Sequence, residues 1–287
     1  MAGIILEGKV IAESIRASIR AEVEVLRKKI SKTPRLVAVQ IGESASSAVY
    51  VRSQARLAEE LGIAYEIKTI PGNLSQNDVE QILVQLNGKS EVSAVILQLP
   101  VPKDIDAKKL LDKIAPGKDA EGMNPYNLGK LFSGHFDVAP CTALAIMELI
   151  RSTNVELYGK EVVVVGHSEI VGKPLAMLLL TKFATTTVCH IATGERGLLR
   201  DNVARAEVLV VAVGKPNLIR GDWIKPGAIV LDVGINKVGD KIVGDVEFES
   251  ARNKASFITP VPGGVGPLTT TMLMRNVLAL FKKQISA

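Results

Sequence analysis

The chain has 287 residues, 47% of them hydrophobic and 23% charged, with 35 lysines and arginines against 30 aspartates and glutamates. That length buries one large core or two modest ones, and an aliphatic bias without a run long enough to span a bilayer predicts a soluble α/β protein with no membrane association. The net charge of +5 is scattered rather than gathered into a stripe, so nucleic acid is not expected as a partner, whereas a small anionic ligand fits.

Residues 1–6 lack the form of a secretory signal, so the expected compartment is the cytoplasm. Cys141 and Cys189 stand far apart without CxxC spacing, and the only histidines are His135, His167 and His190. Reduced thiols and no metal site are expected. In chain order, Arg35–Ile41 predicts a strand, 44–61 a helix ending at Gly62, and 65–70 a strand closed by Pro71 and Gly72. Ser75 with Asp78 three positions on has the form of a helix N-cap, opening a helix to Asn87 and Gly88, and 92–97 reads as the next strand. A polar passage at 116–125 interrupts the alternation before a helix at 141–151. The pattern then restarts with the apolar strand Glu161–Val165, which places a domain boundary between 139 and 159. Strands follow near 187–190, 208–212 and 229–233, then a hairpin at 236–243 turning on Gly239 and Asp240, and last a helix at 269–283 expected to pack on the first domain. Strands alternating with helices predict parallel sheets covered by helices.

Three passages carry chemistry. Ile258 to Thr269 holds three glycines and three prolines, a density that predicts a rigid turn rather than helix or strand interior, suited to close approach of main chain to a flat ligand. A second proline-rich segment, Gln98-Leu99-Pro100-Val101-Pro102, ends an apolar strand with a polar side chain where burial is otherwise expected. Between them, Glu161–Val165 runs into Gly166-His167-Ser168-Glu169-Ile170-Val171-Gly172-Lys173-Pro174, a strand-to-helix turn whose free amides suit a pyrophosphate, although Ser168 holds the second glycine's place in G-x-G-x-x-G. Further strand ends at Val213-Gly214 and Val233-Gly234-Ile235 would lie on the same side of a parallel sheet, where such folds place nucleotides.

These passages, with Tyr50 in Ser46-Ser47-Ala48-Val49-Tyr50-Val51, Lys118-Asp119-Ala120-Glu121-Gly122 and Pro140-Cys141-Thr142, resemble the methylenetetrahydrofolate dehydrogenase/cyclohydrolase family over nearly the whole chain. The resemblance implies an N-terminal α/β folate domain (1–139 plus 267–287), a Rossmann-like NAD(P)-binding domain (140–266), a cleft between them and a homodimer. It implies Tyr50, Gln54, Gln98 and Glu121 as catalytic positions, and Leu99, Pro100, Pro262, Gly263 and Gly264, with Tyr50, Gln98 and Glu121, as folate contacts. For the cofactor it implies Gly166, His167, Ser168, Val171, Gly172, Thr193, Arg196, Gly214 and Ile235.

Two departures from the family pattern matter. The family's Tyr-Val-x-x-Lys motif has Gln54 at its lysine position, and its Asp-x-Asp-Gly motif reads Asp119-Ala120-Glu121-Gly122. Hydride transfer from methylenetetrahydrofolate to a nicotinamide demands alignment, which a glutamine can supply. Opening the methenyl ring needs general acid–base work, which an amide does not do near neutral pH. The expected activity is a dehydrogenase whose cyclohydrolase step is weak or absent, with a separate cyclohydrolase serving the same pathway. A fully bifunctional enzyme and a folate-binding paralogue with little catalysis remain the alternatives. Arg196, Thr193 and His167 would cradle a 2′-phosphate, whereas Glu195 would accept from a ribose hydroxyl; the family's bacterial habit tilts the expectation to NADP over NAD.

Overall fold

The computed structural model describes residues 2–42 and 45–286. It divides into two compact units, Met1–Glu13 with Thr142–Thr269, and Ser14–Cys141 with Thr270–Ala287. In chain order the elements begin with strand β1 (Ile4–Ile5) and the 23-residue helix α1 (Gly8–Ile30). Sequence reading passed over both, although Ala12, Ile19 and Val23 are buried at helical spacing.

The Ser14–Cys141 unit is built on β2 (Arg35–Ile41), α2 (Ala45–Leu61), β3 (Ala64–Ile70), α3 (Gln76–Gly88) and β4 (Ala94–Leu97), followed by α4 (Ala107–Lys113) and α5 (Pro125–Phe132). The three strands form a parallel sheet in the order β3-β2-β4. The expected start of α2 at Ser44 lies outside the described residues. Parallel neighbours need a crossover, and α2 and α3 supply the two. Ser75 Oγ accepts from the Asp78 N–H at 3.2 Å while Asp78 accepts from the Ser75 N–H, so α3 opens on the capping box its sequence predicts. Its apolar stripe of Val79, Leu83 and Leu86 closes on Val37, Val39, Val95 and Leu97 of the sheet. The passage at 116–125 is no plain loop, since a 3₁₀ turn covers Pro116–Lys118 and Pro125 opens α5, the position where a missing N–H costs nothing.

Helix α6 (Cys141–Ser152) leads into the other unit, which holds β5 (Glu161–Val165), α7 (Gly172–Leu180), β6 (Thr185–Cys189), α8 (Ile191–Glu195), α9 (Leu199–Arg205), β7 (Val208–Val211) and β8 (Ile229–Asp232). The hairpin β9 (Asn236–Val238) and β10 (Lys241–Val243), α10 (Phe248–Arg252), β11 (Phe257–Ile258) and α11 (Val265–Ser286) complete the chain. Six strands pair in the order β1-β11-β8-β7-β5-β6, every pairing parallel. Because Ile4 pairs with Phe257 and Ile5 with Ile258, residues 1–13 group with this unit instead of with residues 14–139, as sequence reading expected. The chain leaves β5 toward β6 on one side and returns to β7 on the other, so the carboxyl end of β5 is a topological switch point.

The glycine- and proline-rich passage is shorter than its composition predicts. Ile258 closes β11 and Val265 opens α11, which confines the irregular turn to residues 259–264. Pro267 falls in the first turn of α11, where no carbonyl awaits its absent N–H. From Thr270 onward α11 belongs to the Ser14–Cys141 unit, tied there by Asn276 Nδ2 donating to the carbonyls of Ala120 (2.9 Å) and Ala139 (3.0 Å).

Candidate active site

Within the Ser14–Cys141 unit, three elements converge on one side-chain oxygen. Gln54 stands on α2, Tyr65 on β3, and Gln98 just past the end of β4, where its backbone N–H still donates to Val39 at 2.8 Å. Tyr65 Oη donates to Gln54 Oε1 at 2.8 Å, and Gln98 Nε2 donates to the same atom at 2.9 Å. Gln98 is buried and Gln54 and Tyr65 are half-buried, so this polar cluster sits at the edge of the core and both lone pairs of the amide oxygen are used. Burial pushes the Tyr65 hydroxyl above the ordinary tyrosine range, which keeps it protonated. Tyr50, one helical turn before Gln54, is exposed, as are Leu99 and Pro100; the Leu99–Pro100 peptide bond is cis.

A second cluster surrounds Glu121. Asp119 is buried, and its carboxylate accepts from the Asn124 N–H at 2.7 Å and from Asn127 Nδ2 at 2.9 Å. Glu121, half-buried two residues on, has its carboxyl pushed up to about 7, first by desolvation and then by the negative charge of Asp119. Cys141 is buried nearby, its thiol 3.7 Å from the Ala120 carbonyl and 3.5 Å from Asn276 Nδ2; burial raises it well above the usual thiol range, so it is no nucleophile.

The other unit carries a cavity of about 910 Å³ at the carboxyl ends of its central strands. Gly166, His167 and Ser168 line it, joined by Lys173, His190, Ile191, Glu195 and Lys215. The turn that shapes it tolerates no side chain at Gly172, where a Cβ would stand 2.0 Å from the Gly166 carbonyl oxygen, and Gly166 itself has φ +126°. Ser168 Oγ accepts from the Val171 N–H at 3.1 Å, and α7 then presents its amino end to the turn. The glycine and serine of this turn and the amino end of α7 suit the pyrophosphate of a dinucleotide.

Val171, Gly172, Thr193, Arg196, Gly214 and Ile235, all expected at the cofactor, do not line the cavity. Gly172 acts by closing the turn. Thr193 Oγ1 instead accepts from the His190 N–H at 3.2 Å, Arg196 caps the end of α8, and Ile235 is 61% exposed. The Gly214 N–H donates at 2.9 Å to Asp245, a fully buried carboxylate that also takes the Val213 N–H (2.7 Å) and Asn236 Nδ2 (2.8 Å). Asp245 in turn donates from its own N–H to Asp232, at 3.0 Å. In the 259–264 turn, Pro262 and Gly263 are exposed, the Val261–Pro262 bond is cis, and Gly264 is buried where a Cβ would meet Thr259 at 2.7 Å.

Residues 6–121 match the family model described as tetrahydrofolate dehydrogenase/cyclohydrolase, catalytic domain, and residues 140–285 match that of the NAD(P)-binding domain. The chain belongs to the tetrahydrofolate dehydrogenase/cyclohydrolase family. A "Bifunctional protein FolD" of Nitratiruptor is 44% identical over 280 residues, 98% of each chain. Among solved structures, the bifunctional FolD of Campylobacter jejuni matches with a TM-score of 0.94 at 38% identity, covering 98% of this chain and 99% of that one. The Trypanosoma brucei FolD, complexed with NADP cofactor and inhibitor, matches with a TM-score of 0.94 at 38% identity over 100% of both chains.

Within the family's NAD(P)-binding domain, sequence reading missed His190, Ile191, Lys173 and Lys215 as cavity residues and did not place Asp232 and Asp245. Position just after a β-strand would have found His190 and Ile191. In the catalytic domain it missed Tyr65, whose place beside Gln54 only tertiary contact reveals. Among the described residues no His, Cys, Asp and Glu cluster could hold a metal ion, and no helix is long and apolar enough to cross a membrane.

Proposed function

We infer that the protein oxidises 5,10-methylenetetrahydrofolate to 5,10-methenyltetrahydrofolate with NAD(P), and that it hydrolyses the methenyl product slowly or not at all. The observation that carries this reading is Gln54, whose amide oxygen is fully engaged by Tyr65 and Gln98. NAD(P), when bound, supplies the hydride acceptor, and Gly166, His167 and Ser168 would hold its pyrophosphate end. The protein's part in that step is orientation: a folate held by Tyr50, Gln54, Gln98 and Glu121 needs no protein acid or base to surrender a hydride. Ring opening is different, because water must be deprotonated and a folate nitrogen protonated. Gln54 has no titratable proton and Tyr65 keeps its own, so neither takes the role that a lysine would fill. The test is the rate of methenyl hydrolysis by the pure protein, which this reading puts about 10²–10⁴-fold below that of the Gln54→Lys variant.

One observation favours the second reading, a fully bifunctional enzyme. Glu121, poised at about 7, titrates where proton transfer is useful. If Glu121 carries hydrolysis, the unmodified protein will open the ring rapidly and Glu121→Gln will stop it. For the cofactor, NADP is supported by the Trypanosoma brucei relative, while Glu195 on the cavity wall supports NAD. A homodimer belongs to the same reading, checked by light scattering.

A further inference from the structure

Gln54 is held by a hydroxyl that lies outside every motif of the sequence. Tyr65 reaches from β3, where it pairs with Leu36 of β2, to place Oη 2.8 Å from Gln54 Oε1, opposite a second donor, Gln98 Nε2, at 2.9 Å. A primary amide can present either its oxygen or its NH₂ group, and here Tyr65 and Gln98 both meet it at the oxygen. With both donors on the oxygen, the end left to meet a ligand is the NH₂.

We propose that Tyr65 is a positioning residue of the dehydrogenase: its hydroxyl locks the Gln54 amide so that the NH₂ end, a pure donor, faces the folate. The proposal rests on the functional reading above and deepens it. A donor held in one orientation lends alignment to hydride transfer, and it offers ring opening neither a base nor an exchangeable acid. Without the hydroxyl, Gln98 alone would hold the oxygen, and the amide would be fixed by one hydrogen bond in place of two.

A double-mutant cycle tests this. Dehydrogenase kinetics, and folate affinity by fluorescence titration without nucleotide, are measured for the unmodified protein, Tyr65→Phe, Gln54→Ala and the double variant. Tyr65→Phe should lower kcat/KM and folate affinity by about 3–10-fold with Gln54 present, and change neither by more than about 1.5-fold in the Gln54→Ala background. Equal losses in both backgrounds, or no loss in the first, would overturn the proposal. Melting temperatures check that each variant is folded, and Tyr65→Leu repeats the cycle if Tyr65→Phe is not. Rapid methenyl hydrolysis by the unmodified protein would instead defeat the functional reading, a failure visible before any variant is made.

Discussion

Gln98 donates from Nε2 to the side-chain oxygen of Gln54 across 2.9 Å, joining residues 44 positions apart in the sequence. The contact depends on the parallel pairing of β2 with β4, which carries the strand end bearing Gln98 to the helix bearing Gln54. It turns a pair of separate sequence motifs into one polar cluster whose members hydrogen-bond but do not titrate near neutrality.

Gln54→Lys should therefore restore methenyl hydrolysis. An ammonium tuned by its half-buried position supplies the missing proton-transfer group, and such groups contribute about 10²–10⁴-fold. The decay of methenyl absorbance on adding each protein to methenyltetrahydrofolate measures the gain; an unchanged decay would show that the block lies elsewhere.

Glu121 should make stability fall as pH rises. Its folded pKa of about 7 exceeds the ordinary 4.5, so between those values the native state holds a proton that the unfolded chain has lost. Stability is then greatest below about 4.5, declines up to about 7 and levels off above, a contribution of about 3 kcal/mol in all. Glu121→Gln should be more stable than the parent in urea at pH 8 by up to that amount, with the difference vanishing at pH 4. A difference that did not change with pH would contradict the burial of the carboxyl.

Much of this fold is readable from pattern alone. β2 and β5 have the predicted bounds because buried parallel strands read as unbroken apolar runs, and α3 begins at its capping box because that signal is local. What escaped depends on distant partners. The two-residue strands β1 and β11 exist only by pairing with each other and with β8, and the carboxylates of Asp232 and Asp245 are legible as ties only once the N–H groups of residues 213, 214, 234, 245 and 246 are seen to point at them. Arg196, placed near the expected phosphate by sequence, sits at the end of α8 next to Glu195, which lines the cavity.

Gly172→Ala should damage cofactor binding more than folate binding. Its methyl would stand 2.0 Å from the Gly166 oxygen and force the turn apart, costing about 1–3 kcal/mol of stability. Nucleotide affinity, read by calorimetry, should fall by about tenfold or more, which corresponds to about 1.4 kcal/mol or more. Folate affinity measured without nucleotide should stay within about twofold.

Glu195→Gln should raise affinity for NADP selectively. Removing a carboxylate from the cavity wall relieves repulsion of a phosphate dianion by about 1 kcal/mol at low salt, and leaves a neutral ribose hydroxyl nearly unaffected. Titrations should show NADP binding about 3–10-fold tighter and NAD changed by less than about twofold. Equal changes for both cofactors would place Glu195 away from the 2′ position.

The most direct test is to mix the pure protein with methylenetetrahydrofolate and NADP or NAD while following methenyl absorbance and cofactor reduction together. Methenyltetrahydrofolate accumulating in step with reduced cofactor is the predicted result, since hydride transfer would then proceed while ring opening lags. Reduced cofactor appearing without methenyl build-up would contradict the account, because hydrolysis would be keeping pace despite Gln54.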